Sequence, residues 1–211
     1  LTGLPNRNVF FSNLKKLVDQ KTHHALLVFD LDNFKKINDS LGHQLGDMLL
    51  CRLANRLSKI TRQQDSIYRL GGDEFGLVMT NTNDIHTITR TAKEFLAEII
   101  KPFHMSGHEL VITSSTGVVL FPEDGNSPEV LLKNADTAMY HAKEQGNRYL
   151  FFNDPMNKQA VKRLQIENLM RYGIKEDQFC VFYQPKMNLK TGELMGMEAL
   201  VRFITPNKGL I

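Results

Sequence analysis

Gly71-Gly72-Asp73-Glu74-Phe75 places two adjacent carboxylates at the mouth of a glycine turn. The flanks Ile67-Tyr68-Arg69-Leu70 and Phe75-Gly76-Leu77-Val78-Met79 are rich in strand formers, and Gly-Gly supplies the positive φ of a tight turn, so the segment reads as a β-hairpin with acids at its tip. Upstream, Leu26-Leu27-Val28-Phe29 runs into Asp30-Leu31-Asp32, the pattern of a buried strand that ends in carboxylates just before a helical pattern begins. With the hairpin beside that strand, Asp30, Asp73 and Glu74 converge. Oxygen donors without a Cys or His partner suit magnesium or manganese rather than zinc. Taken alone, the turn has a plainer meaning, a hairpin with two solvated acids, and Asp30 alone reads as a helix cap at a strand end.

Periodicity supplies the elements that must position these groups. Val9 to Val18 has helical spacing, and the strand through Phe29 precedes a short helix from Asn33 to Leu41, with Asp32 as its N-cap. A longer helix runs through Met48, Leu49, Leu53 and Leu57. After the hairpin, a helix over Ile85 to Ile100 stops at Pro102, and paired strands run through Phe103 and Val111 to Phe121. Pro122-Glu123-Asp124-Gly125 is a turn, Ser127-Pro128-Glu129 opens the next helix with a cap and a first-turn proline, and Gly146 ends it. The expected fold class is α+β, a central, mainly antiparallel sheet flanked by helices.

Length and composition set broad limits. At 211 residues the chain is one large or two small domains, and 42% hydrophobic with 23% charged residues is ordinary for a soluble globular protein. A net charge of +3 argues for neither nucleic acid nor a membrane surface as partner. No apolar run approaches the roughly 18 residues of a membrane span, and no signal peptide is present. Cys51 and Cys180 lie far apart in apolar patterns without metal-ligand spacing, as expected of reduced core thiols in a cytoplasmic protein. Met48, Met79 and Met139 fall on apolar faces and are expected in the core. His43 reads as structural, and His23, His24, His104 and His108 as surface or strand positions. Starting at Leu1 rather than Met, the chain reads as a piece of a larger protein.

Several ordered blocks at matching spacing carry a family resemblance. Leu1-Thr2-Gly3-Leu4-Pro5-Asn6-Arg7, Phe34-Lys35-Lys36-Ile37-Asn38-Asp39, Gly42-His43-Gln44-Leu45-Gly46-Asp47 and Ala135-Asp136-Thr137-Ala138-Met139-Tyr140 with Ala142-Lys143 join the glycine turn. Together they make roughly the first three quarters of the chain closely similar to the GGDEF domain of diguanylate cyclases. The resemblance implies condensation of two GTP into cyclic di-GMP, with two magnesium or manganese ions per active site held by Asp30, Asp73, Glu74 and the Leu31 carbonyl. Asp73 and Glu74 are the implied catalytic carboxylates, with Glu74 a candidate base. The N–H groups of Asn33, Phe34 and Lys35 at a helix N-terminus would face the β- and γ-phosphates, where free donors and the helix dipole favour anions. Lys35 and Lys143 are implied phosphate contacts, and Asn38 and Asp47 the guanine-reading pair. After Gly146 the family's Arg-Asn order stands reversed as Asn147-Arg148, which puts a phosphate role for Arg148 in question.

Two further stretches resemble regulatory or partner modules. Arg62-Gln63-Gln64-Asp65, five residues before Leu70, is similar to the family's product-binding site, where Arg62 would fork onto phosphate and Asp65 accept from a guanine edge. The plain alternative is a weak surface pair at a helix end. Phe182-Tyr183-Gln184-Pro185-Lys186 with Gly196-Met197-Glu198-Ala199-Leu200-Val201-Arg202 resembles the start of an EAL phosphodiesterase domain, with Glu198 an implied metal ligand, Arg202 a phosphate contact and Gln184 a substrate contact. The expected organisation is a cyclase domain at 1–153, a linker helix at 154–174 and an EAL fragment at 175–211, too short to close a barrel and therefore inactive. One GTP per domain implies a homodimer for turnover, cyclic di-GMP at the inhibitory site, and no nucleic-acid or membrane contact by this fragment. The location is cytoplasmic, any membrane anchor belonging to other segments of the parent. A GTP-binding regulatory domain without cyclase activity, controlling an attached phosphodiesterase, is the alternative function.

Overall fold

Strand β1 (His24–Leu31) is buried at every position, which makes it the middle of the sheet. The computed structural model describes residues 1–153, 166, 169–205 and 209–210. Within the first of two units, Leu1–Asn157, the elements run α1 (Arg7–Gln20), β1, α2 (Phe34–Leu41), α3 (His43–Ile60), β2 (Ser66–Gly71), β3 (Glu74–Met79), α4 (Ile85–Ile99), β4 (Phe103–Met105), β5 (His108–Leu110), β6 (Ser114–Phe121), α5 (Pro128–Lys143) and β7 (Arg148–Phe151). The five-stranded sheet has the order β2-β3-β1-β6-β7. Its fold is α+β as expected, but the sheet is mixed, because β7 joins β6 in parallel. A parallel neighbour needs a crossover, and α5 provides it.

Strand periodicity divides β1 between two cores. Ala25, Leu27, Phe29 and Leu31 pack with α3 and α4, whereas Leu26 and Val28 pack with α1 and α5. The same alternation continues into the carboxylates, so Asp30 falls on the face that α5 covers. In β3, Phe75, Leu77 and Met79 join the first core and Val78 the second, which assigns Glu74 to the α5 face as well. Gly117 on β6 lets α5 lie close, since a Cβ there would stand 1.9 Å from Ala135 O and 2.6 Å from Met139 N.

Three local expectations are corrected. Phe103 belongs to a separate two-stranded hairpin of β4 with β5, not to a pair with the strand that ends at Phe121. Met48 is 42% exposed, while Met79 and Met139 are core. Cys51 and Cys180 are free but only partly buried, Cys51 Sγ donating to Leu1 O at 3.2 Å. Among the described residues no helix is long and apolar enough to cross a membrane.

The second unit, Lys158–Ile211, contains β8 (Phe179–Met187), β9 (Leu194–Thr205) and β10 (Gly209–Leu210), antiparallel in the order β10-β9-β8. Phe179 and Phe203 stack at 4.8 Å across the first rung. Most of the expected linker helix, residues 154–165, 167 and 168, lies outside the described residues, and 169–175 are helical.

Candidate active site

Asp30 and Glu74 are direct partners in the β1–β3 register. From α5, Lys143 reaches the same point, its Nζ 2.8 Å from Asp30 Oδ1. Asp30 is 8% exposed. Burial raises its pKa; the Lys143 hydrogen bond opposes that rise, and the charges of Asp73 and then Glu74 add to it. The hairpin tip has Gly72 at φ +47, and Arg69 donates to Gly72 O through Nε at 3.0 Å and a terminal nitrogen at 2.6 Å.

Asp32 does not cap α2. Its carboxylate instead accepts from Thr113 Oγ1 at 2.7 Å, Ser115 Oγ at 2.7 Å and the Asn147 N–H at 3.2 Å, tying the end of β1 to β6 and to the loop after α5. Asn33 is the N-cap residue, in the left-handed region at φ 59 and without a side-chain capping bond. Asn tolerates that conformation better than most residues. The first-turn N–H groups at Asn33, Phe34 and Lys35 lack intrahelical acceptors, and the Lys36 N–H returns to Asn33 O at 2.9 Å. A cleft of about 510 Å³ lies here, lined by Asp30, Asp32, Asn33, Lys143, Gly146 and Asn147 among others. Phe34 contributes backbone only, its side chain being 7% exposed in the core, and Lys35 is exposed. Arg148 bonds Gln145 and begins β7 rather than lining the cleft.

The α2–α3 corner assembles a second feature. Asn38 on α2 buries Oδ1 without a hydrogen-bond partner. A Cβ on Gly46 would meet that oxygen at 1.9 Å, so only glycine leaves the amide its place. Asp47 follows on α3 with an exposed side chain. An amide and an acid at one corner match the donors and acceptors of a guanine edge.

The donor set suits a hard divalent ion. Asp30, Asp73 and Glu74 offer carboxylate oxygens, and Leu31, 1% exposed, has only its backbone to offer. Burial first, and then the charges of Asp73 and Glu74, raise the pKa of Asp30, and a bound cation would favour its ionised form. Among the described residues, no three His, Cys, Asp or Glu side chains are already gathered to hold an ion, and Lys143 supplies the positive charge at Asp30.

Asp136, quoted in a family block but given no role there, lies within electrostatic reach of Glu74. Its residue surface is exposed, yet desolvation of the carboxyl is the first cause that raises its pKa to about 6, followed by the charge of Glu74, with Arg7 opposing. The signal was in the sequence: Asp136 precedes Lys143 by seven residues, two turns along one helix face.

Elsewhere, Arg62 and Asp65 form a bidentate pair, Nε to Oδ2 at 2.5 Å and a terminal nitrogen to Oδ1 at 3.1 Å. The Thr80 N–H also donates to Asp65 Oδ1 at 3.1 Å, and the Asp65 side chain is 1% exposed against 34% for Arg62. The pair is a bidentate clamp with a buried carboxylate and a partly exposed guanidinium. In the second unit Gln184 stands opposite Glu198 and Cys180 opposite Arg202, with Lys186 Nζ 3.0 Å from Glu198.

Residues 1–149 match the family model for the diguanylate cyclase GGDEF domain. The bifunctional diguanylate cyclase/cyclic di-GMP phosphodiesterase MucR of Pseudomonas aeruginosa is 41% identical over all of this chain, which spans 31% of that protein. The cyclic di-GMP phosphodiesterase NbdA of the same organism is 38% identical, the chain spanning 28% of it. Among solved structures, the GGDEF domain of YfiN (TpbB) from P. aeruginosa superposes with a TM-score of 0.72 at 32% identity, covering 76% of this chain and 96% of that one.

Proposed function

The chain belongs to the diguanylate cyclase GGDEF-domain family, and we propose that it condenses two GTP into cyclic di-GMP. The observation that carries this reading is that Asp30, paired in register with Glu74, meets the α5 cation Lys143, with Asp30 and Lys143 both lining one cleft. Each domain takes one GTP, so two copies face each other. The 3′-oxygen of each nucleotide bonds to the α-phosphorus of the other, the link from that phosphorus to its β-phosphate breaks, and two pyrophosphates leave.

In this reading Asp30, Asp73, Glu74 and the Leu31 carbonyl hold two magnesium or manganese ions. When bound, such ions lower the pKa of the attacking hydroxyl and neutralise phosphate charge. Glu74 accepts the hydroxyl proton. The N–H groups of Asn33, Phe34 and Lys35 take the outer phosphates together with Lys143 and the Lys35 side chain, and Asn38 with Asp47 reads guanine. Arg62 and Asp65 form the product site. The domain is cytoplasmic, and residues 175–211 are the start of an EAL domain in which Gln184 and Glu198 are cross-strand neighbours but which performs no hydrolysis alone.

Incubation with GTP and magnesium, with products separated by chromatography, tests the assignment. Wild type yields cyclic di-GMP and pyrophosphate, while Asp73→Ala and Glu74→Ala yield none. Near wild-type turnover by purified Glu74→Ala overturns the proposed site. A second reading, a GTP-binding regulator of an attached phosphodiesterase, is favoured by the placement of Arg148 on Gln145 outside the cleft lining. Tight GTP binding without any product at high protein concentration selects it.

A further inference from the structure

Asp30 has one of its oxygens 2.8 Å from the Lys143 ammonium and is almost withdrawn from water. We propose that Lys143 is a built-in counter-ion that holds Asp30 while the site is empty and is displaced onto nucleotide phosphate when a divalent ion takes the carboxylate. This rests on the metal and GTP sites of the preceding reading and adds how the two are exchanged.

Four observations point this way. Asp30 faces like charges, Asp73 of the hairpin turn and then its register partner Glu74, so a lone carboxylate there needs a cation. Asp32 does not compete for the ammonium, since its oxygens accept from Thr113, Ser115 and the Asn147 N–H. The backbone around Lys143 is fixed, with Ala142 buried, the Gly146 N–H on Ala142 O at 3.0 Å and the Asn147 N–H on Asp32. The Lys143 side chain itself is 39% exposed and lines the cleft, so its ammonium can move while its Cα stays. A divalent ion and an ammonium on one buried carboxylate repel each other, and the phosphates of an incoming nucleotide supply the alternative partner.

The consequence has opposite signs for the two ligands. Removing the ammonium frees Asp30 for metal but deprives the phosphates of a cation. Manganese ion without nucleotide, titrated calorimetrically, is expected to bind Lys143→Ala about tenfold more tightly than wild type, and GTP with the metal present about tenfold more weakly. Lys143→Arg, which keeps the charge, stays near wild type for manganese. A variant that had merely lost its fold would lose both affinities. Weaker or unchanged manganese binding in Lys143→Ala, or none in either protein, overturns the proposal. If wild type still makes cyclic di-GMP in that case, the cyclase reading survives. Opposed shifts in a protein that makes no product leave the exchange standing and remove the cyclase reading.

Discussion

At the scale of single residues, the candidate site depends on side chains held in costly states. Asn38 buries an unpartnered oxygen against Gly46. An unsatisfied buried group of that kind costs stability unless the surroundings require it. Gly46→Ala drives a methyl into that oxygen, so GTP affinity is expected to fall roughly tenfold or more from the lost hydrogen bond. Wild type should prefer GTP over ATP by several kcal/mol, on the order expected where a wrong edge leaves polar groups unpaired. Equal calorimetric affinities for the two nucleotides in wild type remove guanine recognition from the account. Asp136 carries the other cost. Its folded pKa of about 6 lies above the usual carboxylate value of 3.8, so the folded state binds its proton more tightly. The contribution to stability is present below about pH 4 and is lost as pH rises through about 6. Asp136→Asn is therefore expected to match wild type in melting temperature near pH 4 and to exceed it near pH 7. A difference that does not grow with pH contradicts this.

At the scale of elements, the same alternation that builds the two cores aims the chemistry. Asp30 and Glu74 were legible from sequence because strand period and hairpin type fix both the face and the neighbour. Helices α4 and α5 and the Ser127 cap of α5 were legible for the same local reason, Ser127 accepting from the Val130 N–H, whereas the Asp84 cap of α4 was not read from the sequence. Less legible were features that depend on distant pairing. The role of Asp32 is decided by β6 and the loop after α5, residues more than 80 positions away, so local capping preference gave the wrong partner. Strand β7 is four residues long and acquires its place only by parallel pairing with β6. Arg69 belongs with these, since its bonds to Gly72 O become visible only once β2 and β3 are closed with their irregular register between Arg69 and Gly71. Gly71 and Gly72 themselves have open space around their Cβ positions, so the arginine is a principal restraint on the tip. Arg69→Ala is expected to lower turnover about tenfold or more, because small displacements of positioned groups are costly to rate. Its melting temperature should change little, since the lost bonds are exposed, and Arg69→Lys should recover part of the rate. Full activity in Arg69→Ala would show that the hairpin positions its carboxylates unaided.

At the scale of the whole molecule, the proposed product inhibition would act along β2. Strand β2 spans Ser66–Gly71, six residues or roughly 20 Å, and joins the Arg62–Asp65 clamp at one end to the glycine turn at the other. A ligand on Arg62 therefore lies outside the GTP cleft and cannot compete with substrate directly. In the proposed reading it holds two domains so that their carboxylate hairpins fail to meet. The clamp also divides the labour expected of the pair. Asp65 is spent on Arg62 and on the Thr80 N–H and is almost unexposed, whereas Arg62 shows a third of its surface. In the proposed product site the phosphates would therefore meet Arg62, and Asp65, expected from sequence to accept from a guanine edge, would instead fix that guanidinium. Arg62→Ala is a poor test alone, because it leaves a buried carboxylate without its cation and destabilises the fold. Arg62→Lys keeps a charge for Asp65 but loses the planar fork that suits phosphate. With added cyclic di-GMP, wild-type initial rates should fall with unchanged KM for GTP. In Arg62→Lys the inhibition should weaken at least about tenfold in effective product concentration, as expected for loss of a bidentate contact, while uninhibited turnover stays near wild type. Inhibition that persists unchanged in Arg62→Lys, or that raises KM instead of lowering kcat, places the product elsewhere and returns the clamp to a purely structural role.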